Sequence, residues 1–176
     1  MVRMSKNGYL GILPALAASS ALAALSACTS DECYENKNSL PLAGFYSSEE
    51  PLQAVNVDSL EIKGFDVPGD SVLHEGKGAI SQSYLPFRID QPSTTYIFRY
   101  AKAQFVRIGL ADTITFRYEI IPYFVSSACG AVYNYRVTDI ETTHYAIDSV
   151  TCPPGTITNE AIENLRVYFR QIPNVD

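Results

Sequence analysis

Two hydrophobic patterns divide the chain. From Tyr9 to Leu25 the residues are uncharged and mostly Ala and Leu, an apolar run without alternation. From residue 40 onward, apolar and polar residues alternate in short stretches separated by Pro, Gly, Asp, Asn and Ser. Alternation at a period of two puts successive side chains on opposite faces of a strand, so the second pattern predicts β-structure. The clearest stretch is Thr113–Ile120. There Ile114, Phe116, Tyr118 and Ile120 share one face, and Thr113, Thr115, Arg117 and Glu119 share the other. Leu40–Tyr46, Val72–Leu73, Thr95–Tyr100 and Tyr145–Val150 also read as strands, as does Val55–Ile62 with a pause of phase at Ser59. In Gly130–Val137, Val132, Asn134 and Arg136 fall on one side, and Ala131, Tyr133, Tyr135 and Val137 on the other. Pro86 predicts that Tyr84–Ile89 is an edge or bulged strand, and Pro122 predicts an interruption before Tyr123–Val125 resumes. Ile162–Phe169 suits a helix through Ile162, Leu165 and Phe169, or a strand through Leu165, Val167 and Phe169. The favoured reading is a closing strand from Leu165 to Arg170.

About eight short strands with turns at roughly ten-residue spacing predict an all-β fold, a single antiparallel β-sandwich of immunoglobulin-like type. Twelve Tyr and eight Phe suit pleated surfaces. Asp58-Ser59-Leu60, Asp70-Ser71-Val72 and Asp148-Ser149-Val150 recur, with Asp112-Thr113-Ile114 as a variant. Asp and Ser cap turns through side-chain hydrogen bonds to backbone, so the motif reads as turn chemistry rather than cation binding.

The first pattern reads differently. Arg3 and Lys6 precede the apolar run, and Leu25-Ser26-Ala27-Cys28 closes it. Gly11, Pro14, Ser19 and Ser20 make the run weakly apolar for a transmembrane helix, which needs about 20 strongly apolar residues. Small residues before a cysteine form a lipobox. Residues 1–27 are expected to be a cleaved lipoprotein signal peptide and Cys28 the lipidated residue. Residues 28–39 then form a polar tether and residues 40–176 the β-domain. Two or three acyl chains on one cysteine hold a protein lastingly on a membrane, where one chain alone is marginal.

Arg3 and Lys6 are the leader's charges, so the 13 basic and 19 acidic residues of the chain become 11 and 19 after it, a net −8. So acidic a domain has no electrostatic footprint for nucleic acid. Cys28 is taken by lipid, which leaves Cys33, Cys129 and Cys152 in an oxidising compartment. Cys33–Cys129 would tie the start of the domain to its core; Cys129–Cys152 would link neighbouring strands. No C-x-x-C occurs and His74 and His144 are the two histidines, so neither a metal nor another cofactor is expected.

Catalytic signals are weak. There is no Gly-x-Ser-x-Gly elbow and no phosphate-binding Gly-rich loop, and Glu49-Glu50 would point to opposite faces of a strand. Tyr side chains cluster, and Tyr96, Tyr100, Tyr133 and Tyr135 are the candidate binding residues, able to stack on sugars if exposed. Buried, the same residues would fill a core.

Cys33-Tyr34-Glu35-Asn36, Leu42-Ala43-Gly44-Phe45-Tyr46, Val57-Asp58-Ser59-Leu60, Tyr84-Leu85-Pro86, Ser127-Ala128-Cys129-Gly130 and Ile147-Asp148-Ser149-Val150 together resemble a group of Bacteroidota lipoproteins catalogued as a domain of unknown function. The acidic Asp31-Glu32 behind the lipid cysteine resembles the surface-export signal of such lipoproteins. The resemblance implies an anchored β-domain of the outer membrane that faces the surface or the periplasm, a bridge between Cys33 and Cys129, and a free Cys152. It implies no activity. The expected function is therefore a non-enzymatic envelope lipoprotein that binds or supports another envelope protein. The alternative is a glycan-binding accessory lipoprotein using exposed Tyr, and a hydrolase is the least favoured.

Overall fold

Among the described residues, period-two alternation becomes twelve strands: β1 Leu42–Ser47, β2 Val57–Asp58, β3 Leu60–Gly64, β4 Val72–Glu75, β5 Ala79–Ile80, β6 Gln82–Tyr84, β7 Ser93–Tyr100, β8 Ala111–Ser126, β9 Gly130–Thr142, β10 Ile147–Thr151, β11 Thr156–Ile157 and β12 Glu163–Phe169. The computed structural model describes residues 39–67, 71–100, 110–126 and 130–170, and no helix occurs among them. Cys28, Cys33, Cys129 and the Pro68-Gly69-Asp70 turn lie outside the described residues.

Six strands form a curled antiparallel half-barrel in the order β11-β9-β8-β7-β3-β4. Four form a second sheet, β10-β12-β1-β6, and β2 pairs with β5. One core joins the two larger sheets. Phe45 of β1 meets Phe98 of β7 edge to face at 6.4 Å and Phe169 of β12 at 5.4 Å. Around them lie Leu60, Ile62, Ile114, Phe116, Ile147, Leu165 and Val167, all fully buried. β8 shows how the pattern makes the layer: Ile114, Phe116 and Tyr118 are buried and Ile120 half-buried, while Arg117 and Glu119 stand in solvent. The outward side carries cross-strand ion pairs, Arg117 to Asp139 at 2.6 Å and Arg136 to Glu119 at 2.6 Å.

Several expected elements take a different form. β8 and β9 are longer than expected, and β8 runs straight through Pro122, which pairs with Tyr133. Tyr118 N donates to Pro92 O and Leu110 O accepts from Tyr100 N, so even-numbered residues of β8 face the β7 side. Continuing that alternation, Pro122 turns its missing N–H to an edge where β7 has already ended, because β7 starts at Ser93 opposite Arg117. A proline is tolerated at such an edge. The pause at Ser59 is a break between sheets. Ser59 has φ 56°, and it passes the chain from β2 in the two-stranded sheet to β3 in the half-barrel. Tyr84–Ile89 is not an edge strand. Only Gln82–Tyr84 pairs with β1, and Leu85–Arg88 crosses irregularly from the smaller sheet toward β7. In β9 the inward side is not the plain alternation expected, since Val132 and Tyr135 are both buried. An irregularity beside Tyr118 in the β8–β9 ladder then shifts the register further on. One pair among the described strands is parallel, β1 with β12, against the antiparallel expectation; the long stretch between them supplies the crossover a parallel pair needs.

Candidate functional site

The tyrosines expected to bind are mostly core. Tyr96, Tyr100 and Tyr135 are buried and Tyr133 is half-buried, so three of the four cannot offer a ring face to a ligand. What they offer is hydroxyls. Leu85–Arg88 has no ladder partner, and its backbone groups still need hydrogen bonds. Tyr96 Oη donates to Pro86 O. Arg88 N donates to Tyr118 Oη at 2.9 Å, and that hydroxyl lies 3.0 Å from Arg88 O and 2.6 Å from Thr94 Oγ1. Tyr135 Oη reaches Phe87 O at 3.5 Å. Phe87 itself stacks on Tyr118 with ring centroids 4.4 Å apart. The half-barrel thus clasps the crossing segment through tyrosine tips. Burial drives these hydroxyls to ionise harder than an ordinary tyrosine, and Tyr135 is pushed up to about 12.

A second polar centre is Asp112, which is fully buried. Its carboxylate accepts from Tyr100 Oη, Thr143 Oγ1, Tyr145 N and Ala146 N, each at 2.8 Å, and from Ile147 N at 3.1 Å. The expectation that Asp112-Thr113-Ile114 caps a turn locally is corrected: Asp112 lies within β8 and holds the β9–β10 connection. Burial first, and then the neighbouring Asp112, hold Tyr100 protonated. A carboxylate with every partner a structural donor has no free lone pair for proton transfer to a substrate.

The outer face of the smaller sheet carries a third cluster. Tyr46 Oη donates to Glu163 Oε2 at 2.7 Å and Arg166 Nε to Glu163 Oε1 at 2.9 Å, with the Arg166 guanidinium 5.5 Å from the Tyr46 ring centre. Gly44 makes room for it, since a Cβ there would fall 2.1 Å from Glu163 Oε2. The spacing of these residues carries no local motif, so sequence reasoning passes over them.

Of the four cysteines, Cys152 alone lies among the described residues, half-buried and free. Burial pushes its thiol up, with a weaker opposing pull from the Gly155 amide, so little of it is the reactive thiolate. No disulfide and no cluster of three or more metal-ligating side chains occurs among the described residues. His74 Nδ1 is occupied by backbone, 2.6 Å from Leu60 O and 3.2 Å from Gly76 N. His144 is exposed on the β9–β10 connection, and its carbonyl accepts from Arg170 Nη1.

The most exposed aromatic pair on a strand is Tyr123 and Phe124, 59 % and 67 % exposed, near the end of β8. They sit on the part of the β8–β9 ladder that outruns the rest of the half-barrel. Ser39 is fastened part-way along this ribbon: its N–H donates to Tyr133 O at 3.4 Å and its Oγ to Asn134 Oδ1 at 2.9 Å.

Residues 59–169 match the model of a family described as a family of unknown function (DUF6452). No curated protein and no solved structure gives a significant match.

Proposed function

The chain belongs to the DUF6452 family of unknown function, and on that premise we propose that it is a lipid-anchored, non-enzymatic binding or structural domain of the bacterial cell envelope. Its two larger sheets, sharing one core through Phe45, Phe98 and Phe169, are proposed to form an immunoglobulin-like β-sandwich. The observation that carries the reading is Leu25-Ser26-Ala27-Cys28 closing an uncharged run behind Arg3 and Lys6. The Bacteroidota origin and the outer membrane follow from the resemblance of the chain's motifs, a surface-facing orientation follows from the acidic tether with a periplasm-facing one as its alternative, and all belong to this proposal. So does a Cys33–Cys129 bridge. The non-enzymatic part is supported by the buried polar groups: Asp112 and the hydroxyls of Tyr96, Tyr100 and Tyr118 are engaged with the protein's own backbone and side chains.

The test is Cys28→Ser in the full chain. The wild type should partition into detergent and the variant into the aqueous phase or remain as an uncleaved precursor. Equal partitioning with the leader removed from both would overturn the anchor.

A glycan-binding reading has one observation in its favour, the Tyr46–Glu163–Arg166 cluster beside Tyr168 on the outer face of the smaller sheet. Titration with envelope polysaccharide against a Tyr168→Ala variant decides it, because loss of a measurable affinity in the variant is required.

A further inference from the structure

The chain's longest run without a charged residue after the leader is Ile120–Tyr135, sixteen residues in a sequence that is 18 % charged. The structure makes this run a ribbon. The outer face of the β8–β9 ladder is lined with ion pairs up to Glu119 and Arg136, which face each other in register, and there the charge stops. β7 has no partner on β8 beyond Arg117, and β11 pairs with β9 only at Tyr135 and Arg136. From Glu119 to Ser126 β8 therefore has β9 as its ladder partner and no other described strand, about 20 Å at strand rise, while β9 is flanked by Ile157 at Tyr135 and by Ser39 at Tyr133 and keeps Val132 buried. Its free edge carries Pro122, which blocks strand addition by another chain. Tyr123 and Phe124 stand on it well exposed, and Ala131, opposite Phe124, is exposed too.

An uncharged ribbon bearing exposed Tyr and Phe has the composition of a segment that sits at a membrane–water interface. Aromatic rings settle at headgroup depth, and missing charge removes the desolvation cost of entry. A bilayer is also within reach. Ser39 is bonded to Tyr133 and Asn134 part-way along the ribbon. Cys28 is eleven residues before it, a span of at most about 38 Å however the chain runs. We propose that Tyr123 and Phe124 of the β8–β9 ribbon insert into the interfacial zone of the bilayer that holds the lipid anchor. The inference rests on the anchor at Cys28. Lipid and ribbon then make two separate points of attachment, which fix the domain's orientation where a lone tether would let it swing.

The chain has no Trp, so one can be introduced as a sole reporter. The full chain carrying Phe124→Trp is reconstituted into phosphatidylcholine–phosphatidylethanolamine vesicles, with and without bromine on the acyl chains. Leu52→Trp serves as control; Leu52 is 93 % exposed in the turn that follows β1, at the other end of that strand from Ser39. Both substitutions are at exposed sites and leave the core untouched. The Phe124→Trp emission should shift to shorter wavelength and be quenched by brominated lipid about threefold more strongly than that of Leu52→Trp. Equal, weak quenching in vesicles that still float with the protein would overturn the ribbon and leave the anchor standing. A blue shift indifferent to brominated lipid would mean that protein, such as a second copy, covers the ribbon, and would also overturn the proposal. Mass spectrometry of Cys28 reads the anchor separately: strong quenching without acylation would discard the anchor and keep the ribbon.

Discussion

Replacing Asp112 by Ala removes the acceptor of five hydrogen bonds and leaves three backbone N–H groups of Tyr145, Ala146 and Ile147 without it. Each buried donor left unpaired costs about 1–3 kcal/mol, so Asp112→Ala should destabilise the domain by upwards of about 4 kcal/mol in urea titration. A loss below 1 kcal/mol would show that the connection holds without it. Tyr118→Phe isolates one hydroxyl of the clasp. It removes the hydroxyl shared by Arg88 N, Arg88 O and Thr94 Oγ1, but Arg88 N keeps Thr94 Oγ1 at 3.0 Å, so the cost should be about 0.5–1.5 kcal/mol. Tyr135→Phe, whose contact is 3.5 Å long, should cost less than about 1 kcal/mol. The same hydroxyls predict an alkaline limit. Burial raises the folded-state value of Tyr135 from the usual 10 to about 12, so the folded protein holds this proton more tightly than the unfolded chain. That contribution is whole below pH 10 and is lost as pH climbs toward about 12. Chemical denaturation midpoints should fall across that window, and a flat profile would refute the assignment. None of these roles was visible locally. Asp112 looked like a turn cap because its partners Thr143 to Ile147 lie 31 to 35 residues away. A buried Tyr gives the same alternation as an exposed one.

At the scale of the element, β8 was the most legible, because four apolar residues at even positions face one layer. Phe116 is fully buried there and touches the rings of Phe87 and Tyr96. Phe116→Ala should therefore cost about 3–5 kcal/mol, and a near-zero change in melting would contradict the inward face. Prolines misled in two directions. Pro122 looked like a stop, yet the side of β8 it faces had already lost its neighbour. Pro86 looked like a strand on an edge, yet its segment is held by tyrosine tips from another sheet. In both, the deciding fact was which strand lay alongside, and local sequence does not contain it. The exposed ribbon was half legible: its missing charge is plain, but only the ends of β7 and β11 reveal that it outruns its sheet. The proposed Cys33–Cys129 bridge belongs to this scale as well. Cys33 precedes Ser39 by six residues and Cys129 precedes Asn134 by five, and Ser39 is bonded to Asn134. The pairing itself rests on the resemblance. Non-reducing peptide mapping should recover a Cys33–Cys129 peptide; a Cys129–Cys152 peptide would refute the pairing.

For the molecule as a whole, the all-β class was legible from alternation, while the parallel seam between β1 and β12 was not. That seam has a kinetic consequence. β1, the first of the described strands, is flanked by β6, the short strand of Gln82–Tyr84, and by β12, the last of the described strands. Leu42 meets Glu163, and Ser47 meets Phe169, across nearly the whole domain. Closing so long a loop is paid in chain entropy before any contact repays it, and folds dominated by such pairings fold in milliseconds to seconds. The first strand to emerge must wait for the last. A chain cut before Glu163 should leave Ala43 and Phe45 without cover and stay unfolded, as amide exchange would show. On the proposed route to the envelope, this delay has a use: a precursor that cannot finish folding until β12 appears remains threadable until then in its passage across the membrane.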